Sequence, residues 1–151
     1  LAIIMVAILG PGLANTLIAI TLALIPQFIR AVYNAVHTEM QKEYIIASQL
    51  DGSPPLRIMW LAIVPNITDT LVSQTTRALS AAILDIAAVG FLGLGAQSPQ
   101  PEWGTMLAES SDLVYLAPWT VTLPGVAIFF SVLVTNLVGE GIREALKMGD
   151  D

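Results

Sequence analysis

Apolar residues fill this chain in long runs, and polar residues collect in islands between them. Leu1–Leu9 is apolar but too short to cross a bilayer, and reads as the end of a membrane helix. Gly10-Pro11-Gly12 makes a turn, and Asn15 is placed to cap the helix that follows. Leu13–Ile29 carries no charge and ends at Arg30. With Pro26 as a kink and Tyr33 as an interfacial anchor, it predicts a span over about residues 13–33.

A polar island over about residues 38–65 interrupts the pattern. Its first half predicts an amphipathic helix from about Glu39 to Leu50, broken by Gly52. Ser53 suits an N-cap and Pro54 the first helical position, so a second short helix is expected over Pro55–Ile63. That helix is expected to stop near Pro65-Asn66. The island thus reads as a helix–glycine–helix hairpin.

A third run predicts a span over about residues 68–94. Within it Asp69, Ser73, Arg77, Ala81 and Asp85 recur every four residues, which lays one polar stripe along a helix. Asp69, Ser73 and Arg77 read as its wet end. Asp85 lies inside ALSAAILDIAAVGFLGLG, where a carboxylate is costly and faces a bundle interior or a water-filled path. Pore-lining and structural roles both stand for it. The glycines of Gly90–Gly95 end the helix.

The loop over about 95–118 holds Pro99, Pro101, Glu102, Glu109 and Asp112, with no Lys or Arg. Glu102–Leu113 is expected to form a short interfacial helix, with Trp103, Met106 and Leu107 on one side. Trp119 anchors a last span over about 119–142, with Pro124-Gly125 as its kink or its start. Asn136 and Glu140 share a face near its far end. Glu140, Arg143, Glu144 and Lys147 read as a solvated, salt-bridged exit helix. The elements add up to an all-α, polytopic transmembrane helix bundle carrying one hairpin.

Composition agrees. The 151 residues are 55% hydrophobic and only 12% charged, with mean hydropathy +0.74. A soluble domain carries about a quarter charged residues. The net charge of −6 and the lack of a basic cluster exclude nucleic-acid binding. With no cysteine and His37 alone, no metal site is expected. The apolar start without Met or a basic region does not suit a signal peptide, and the chain is expected to be the C-terminal part of a longer one.

Basic residues set the orientation, because Lys and Arg favour the cytoplasmic side of short loops. Arg30, Lys42 and Arg57 lie in or beside the hairpin, Arg143 and Lys147 lie near the end, and the 95–118 loop has none. The hairpin and the C-terminus are therefore expected in the cytoplasm. A hairpin poor in Lys and Arg suits a groove of a soluble partner better than a headgroup layer. Tyr44, Ile45, Leu50, Ile58 and Trp60 would supply the anchors.

EYIIASQLDGSPPLRIMWLAIVPN resembles the EAA motif of the permease subunits of ATP-binding-cassette importers. Ile46-Ala47-Ser48 stand at the Glu-Ala-Ala positions, Gly52 at the motif glycine and Ile63-Val64-Pro65 at the Ile-Leu-Pro, followed by Asn66. Glu43-Tyr44 matches the pair that often precedes the motif. Ile46 and Val64 depart from it. ALSAAILDIAAVGFLGLGAQSPQPEWGTMLAE and APWTVTLPGVAIFFSVLVTNLVGEGIREAL resemble the C-terminal half of dipeptide, oligopeptide and nickel permeases. RAVYNAVHTEMQKEYIIASQLDGSPPLRIMW is most similar to the Sap-type peptide/putrescine branch.

The resemblance implies a permease subunit in a bacterial cytoplasmic membrane, carrying peptides or a related small solute. Its hairpin would be a coupling helix docked on cytoplasmic ATP-binding subunits through Glu43, Tyr44, Ala47, Ser48, Gly52, Ser53, Arg57, Pro65 and Asn66. A second homologous permease subunit, a periplasmic solute-binding protein and membrane lipid would be its other partners. Asp85 and Asn136 would be candidates for the translocation path. The chain lacks a Gly-rich phosphate loop with Lys-Ser/Thr, so it is expected to need no cofactor and to hydrolyse nothing itself. Two alternatives stand: putrescine transport or export in the same architecture, and an ion-coupled secondary transporter centred on Asp85.

Overall fold

A computed structural model describes residues 2–97 and 99–148. The acidic Asp150-Asp151 lies outside them. Among the described residues there are helices and turns and no strand. The helices are α1 (Ala2–Leu9), α2 (Leu13–Met40), α3 (Glu43–Leu50), α4 (Pro55–Ile58), α5 (Val64–Phe91), α6 (Trp103–Glu109) and α7 (Trp119–Met148). Helix α5 is the hub: it packs most extensively on α7, then on α2 and α6, while α1 packs on α2. Among the described residues two helices, α2 and α7, are long and apolar enough to cross a membrane, and most of their surface is uncovered. Helix α5 is as long as α2 but carries Asp69, Arg77 and Asp85, and the other helices surround it.

Two glycine-built turns position the hub. Helix α3 ends with Gly52 at φ 78°, where Gly52 N–H donates to the Gln49 carbonyl at 3.0 Å and Ser53 N–H to the Ser48 carbonyl at 3.2 Å. This is the Schellman closure, which places a left-handed residue just past the helix. Helix α5 ends the same way, with Gly93 at φ 76° and bonds from Gly93 to Gly90 and from Leu94 to Val89. Leu94 then packs with Val6, Ala19 and Val89, and its carbonyl accepts from Gly12 N–H at 3.3 Å. That ties the C-terminal end of α5 to the α1–α2 turn.

Small residues set the other close approaches. A Cβ on Gly104 would lie 2.1 Å from the Ala87 carbonyl oxygen, so α6 touches α5 backbone to backbone. Glu102 caps α6, accepting from Gly104 N–H at 3.0 Å and Thr105 N–H at 3.3 Å. Its carboxylate sits where a Cβ on Gly90 would otherwise be, and a Cβ on Gly95 would lie 2.7 Å from the Gly90 Cα and 3.1 Å from the carboxylate. The glycine run after Asp85 is thus a seat for the loop that leads into α6.

Several expected boundaries move. Helix α2 runs to Met40 rather than ending near residue 33, and Glu39 belongs to it, so the hairpin begins at Glu43. Asn15 does not cap α2: its amide donates back to the Leu9 and Gly10 carbonyls and closes α1 instead. Ser53 makes no cap bond and Pro54 is not the first helical residue. Pro54 holds the N-cap position in extended conformation and Pro55 opens the helix. The 102–113 segment splits into α6 and a 3₁₀ turn over Ser111–Leu113.

The largest correction concerns Pro65-Asn66, which ends no helix. The chain stays helical from Pro55 through a π segment (Met59–Ile63) into α5. Val64 N–H donates to the Met59 carbonyl five residues back. The wider turn comes just before Pro65, whose missing N–H and ring conflict with an α-helical turn. Asn66 Nδ2 then donates to the Ala62 carbonyl at 2.6 Å, which occupies an acceptor beside the break. Pro26 and Pro124 likewise lie inside continuous helices.

Candidate functional site

The hairpin is a small folded unit. Ile45 of α3, Ile58 of α4, Ile63 of the π segment and Ile67 of α5 form one buried cluster, with Ala35, Val36, Ala62 and Leu71 against it. Ile45 and Ile58 are therefore the unit's own core and not surface anchors, which corrects the sequence expectation for both. Their spacing with Ile63 and Ile67 was readable only once the helix was known to pass through Pro65.

Around this core lies an uncovered apolar rim. Ile46, Leu50, Leu56, Trp60 and Leu61 are exposed, with Leu50 at 83% and Trp60 at 67%. Glu43, Ala47, Arg57, Pro65 and Asn66 are also exposed, and Ser48 and Ser53 are half-buried. Ser53 instead lines a groove of about 510 Å³ with Val36, Met40, Gln49, Leu56 and Met59. Gly52 sits at the tip, where a Cβ would meet nothing within 4 Å, so its glycine is required by backbone angle alone. The structure thus brings all nine sequence-chosen docking residues onto one unit, and adds Ile46, Leu56 and Leu61 to its face.

One residue was missed. Glu39, at the end of α2, is 5% exposed yet charged. It accepts a hydrogen bond from the Tyr44 hydroxyl and pairs with Lys42 Nζ at 2.8 Å. Burial pushes the Glu39 carboxyl up, but the Lys42 and Tyr44 hydrogen bonds and the Lys42 charge outweigh it and hold the pKa below the ordinary carboxylate value. The Tyr44 phenol is pushed up to about 12 by burial and by the Glu39 carboxylate. Three polar groups thereby fix α3 against α2 across the Gln41-Lys42 turn. The signal in the sequence was the Glu39–Tyr44 spacing across that turn, which a continuous helix from Glu39 hid.

The two residues picked for a path lie apart. Asp85 is exposed and lines a cavity of about 270 Å³ with Ile3, Ala23, Leu24 and Gln27, between α5 and the α1–α2 pair. Asn136 lies on the opposite side of α5. Its Nδ2 donates to Ser80 Oγ at 3.0 Å and to the Val132 carbonyl at 2.8 Å. Arg143 is not simply solvated: its guanidinium binds Asp69 of α5 and reaches Glu140 at 3.8 Å. No cluster of His, Asp and Glu able to hold a metal occurs among the described residues.

Comparison with known proteins places this geometry. Residues 1–147 match the family model described as binding-protein-dependent transport system inner membrane component. Among similar proteins, the peptide transport system permease protein SapC of Salmonella typhimurium is 59% identical over 99% of this chain and 50% of its own length. SapC of Escherichia coli O6:H1 is 57% identical over the same shares. The di/tripeptide transport system permease protein DppC of Pseudomonas aeruginosa is 51% identical over 97% of this chain and 48% of its own. The chain spans about half the length of these relatives.

Proposed function

The chain belongs to the family of binding-protein-dependent transport system inner membrane components, and from that premise we propose that it forms part of the permease subunit of an ATP-binding-cassette peptide transporter. Peptide is the substrate class because the similar permeases are named for peptide transport. The observation that carries the mechanism is the hairpin. A buried isoleucine core presents an uncovered apolar rim, and the chain leaves it along one unbroken helical path into the hub helix. An apolar rim of this kind fits a cleft in a soluble partner.

In this reading, the hairpin seats in a cytoplasmic ATP-binding subunit, with Tyr44, Ala47, Ser48, Leu50, Leu56 and Trp60 as the contact face and Glu43 and Arg57 at its charged edge. Closure of the two ATP-binding subunits displaces the hairpin, and α5 carries that displacement into the membrane. The two states of the permease must bind the ATP-binding subunits with different free energy for this to work. A second permease subunit completes the path, and a periplasmic binding protein delivers the peptide. The hairpin and the C-terminus face the cytoplasm of a bacterial inner membrane. Asp85 is the path residue, because its carboxylate opens into a cavity. Asn136 joins helices instead. A transporter driven by an ion at Asp85 has no support in this family.

The test is ATP-driven uptake of a short peptide into liposomes holding the complete transporter. Uptake that requires ATP, and that fails when Trp60 and Leu50 are both replaced by Asp, is expected. Equal uptake with and without ATP overturns the reading.

A further inference from the structure

Helices α5 and α7 are fastened at three levels, each using polar or small groups from both. At the hairpin end the Arg143 guanidinium binds Asp69, with both side chains about one-third exposed. In the middle, Gly139 is buried against Thr76, so closely that a Cβ there would lie 2.2 Å from Thr76 Oγ1. Deeper in, Asn136 Nδ2 donates to Ser80 Oγ at 3.0 Å. The contacts run 69, 76, 80 on one helix and 143, 139, 136 on the other, an antiparallel seam. At 1.5 Å per residue it covers about 16 Å of α5 and about 10 Å of α7, and the long Arg143 side chain spans the difference. A pocket of about 90 Å³ lies along the seam, lined by Ser73, Thr76, Asn136 and Gly139. The cavity at Asp85, on the far side of α5, is about three times that.

We infer that α5 and α7 stay locked along this seam through the transport cycle, with Arg143 as the positioning residue that couples the hairpin's motion to the C-terminal helix. Rungs of this kind between helices have strict geometry, because Asn136 parted from Ser80 keeps only its own-helix bond to the Val132 carbonyl, and Arg143 parted from Asp69 keeps only Glu140 of its own helix. The substrate route then opens on the Asp85 side of α5 and not between α5 and α7. The inference rests on the permease reading, and its test separates the two.

The experiment places cysteines at Ser80 and Asn136 in the complete transporter, otherwise free of cysteine, and reconstitutes it in liposomes. Oxidation, or a short bifunctional thiol reagent if the direct bond does not form, joins the helices. Crosslinked and reduced samples are expected to take up peptide at rates within about twofold of each other. Loss of uptake on crosslinking with recovery on reduction, or failure of both reagents to crosslink, overturns the seam. Absence of ATP-driven uptake in the parent transporter instead overturns the permease reading. For Arg143, the readout is uptake per ATP hydrolysed. Arg143→Gln is expected to lower it about twofold to fivefold, the range a partly exposed ion pair supplies. The exchange Asp69→Arg with Arg143→Asp is expected to restore it. Unchanged uptake per ATP in Arg143→Gln, or no recovery in the exchange, removes the positioning role.

Discussion

Ile45 and Leu50 sit on the same eight-residue helix and predict opposite phenotypes. Ile45 is fully buried in the hairpin core, whereas Leu50 is 83% exposed. Ile45→Ala leaves a cavity among Ile58, Ile63 and Ile67, which costs about 2–5 kcal/mol. For a chain of this size that lowers the melting temperature on the order of 10 °C. Leu50→Ala removes nothing packed and shifts stability by less than about 0.5 kcal/mol. If a partner cleft closes over Leu50, burying it contributes about 2 kcal/mol, or about thirtyfold in Kd. The assay is thermal melting of the detergent-solubilised permease, paired with titration of its purified ATP-binding subunit. Melting that falls equally in both variants, or a Kd for Leu50→Ala within about twofold of the parent, would refute the division into core and rim.

Three further outcomes follow from the geometry. Gly104→Ala drives a methyl into the Ala87 backbone and is expected to destabilise by about 1–3 kcal/mol, while Gly125→Ala, with open space, is neutral or stabilising; melting of the pair checks both. Gly52→Ala strains a φ of 78° and costs about 1 kcal/mol, read in the same assay together with weaker ATP-binding-subunit affinity. Glu39 has a folded pKa below its ordinary 4.5. Its stabilisation is therefore present above that pH and fades as pH falls through the lower folded value, so the melting advantage of the parent over Glu39→Gln should shrink on acidification below about pH 4.5.

The long helices α2 and α7 were legible because their apolar runs are long and nearly free of charge, and the glycine tip was legible because a Schellman closure needs a left-handed residue at a fixed place. Residue types also marked out the segment that folds as the hairpin, with all nine chosen residues on it. Three features escaped. Proline was read as a stop at Pro65, yet a π segment lets a helix absorb it, and whether that happens depends on the packing of Ile58, Ile63 and Ile67 rather than on local propensity. The roles of Arg143 and Asn136 escaped because their partners, Asp69 and Ser80, lie more than fifty residues away in sequence. A helix face shows that a polar residue points somewhere; only the fold shows what it meets. Glu102 was read as one more loop acid for the same reason, since its seat between Gly90 and Gly95 exists only after the loop folds back.

The most direct test of the central claim asks whether the hairpin rim touches an ATP-binding subunit. Single cysteines at the exposed Ala47 and Leu56 would be placed in the complete, otherwise cysteine-free transporter and probed with a short crosslinker, with and without ATP. The account predicts crosslinks to the cytoplasmic ATP-binding subunit whose yield changes with ATP. Cysteines at both positions that label freely from the cytoplasm and crosslink to no ATP-binding subunit in the assembled transporter would contradict it.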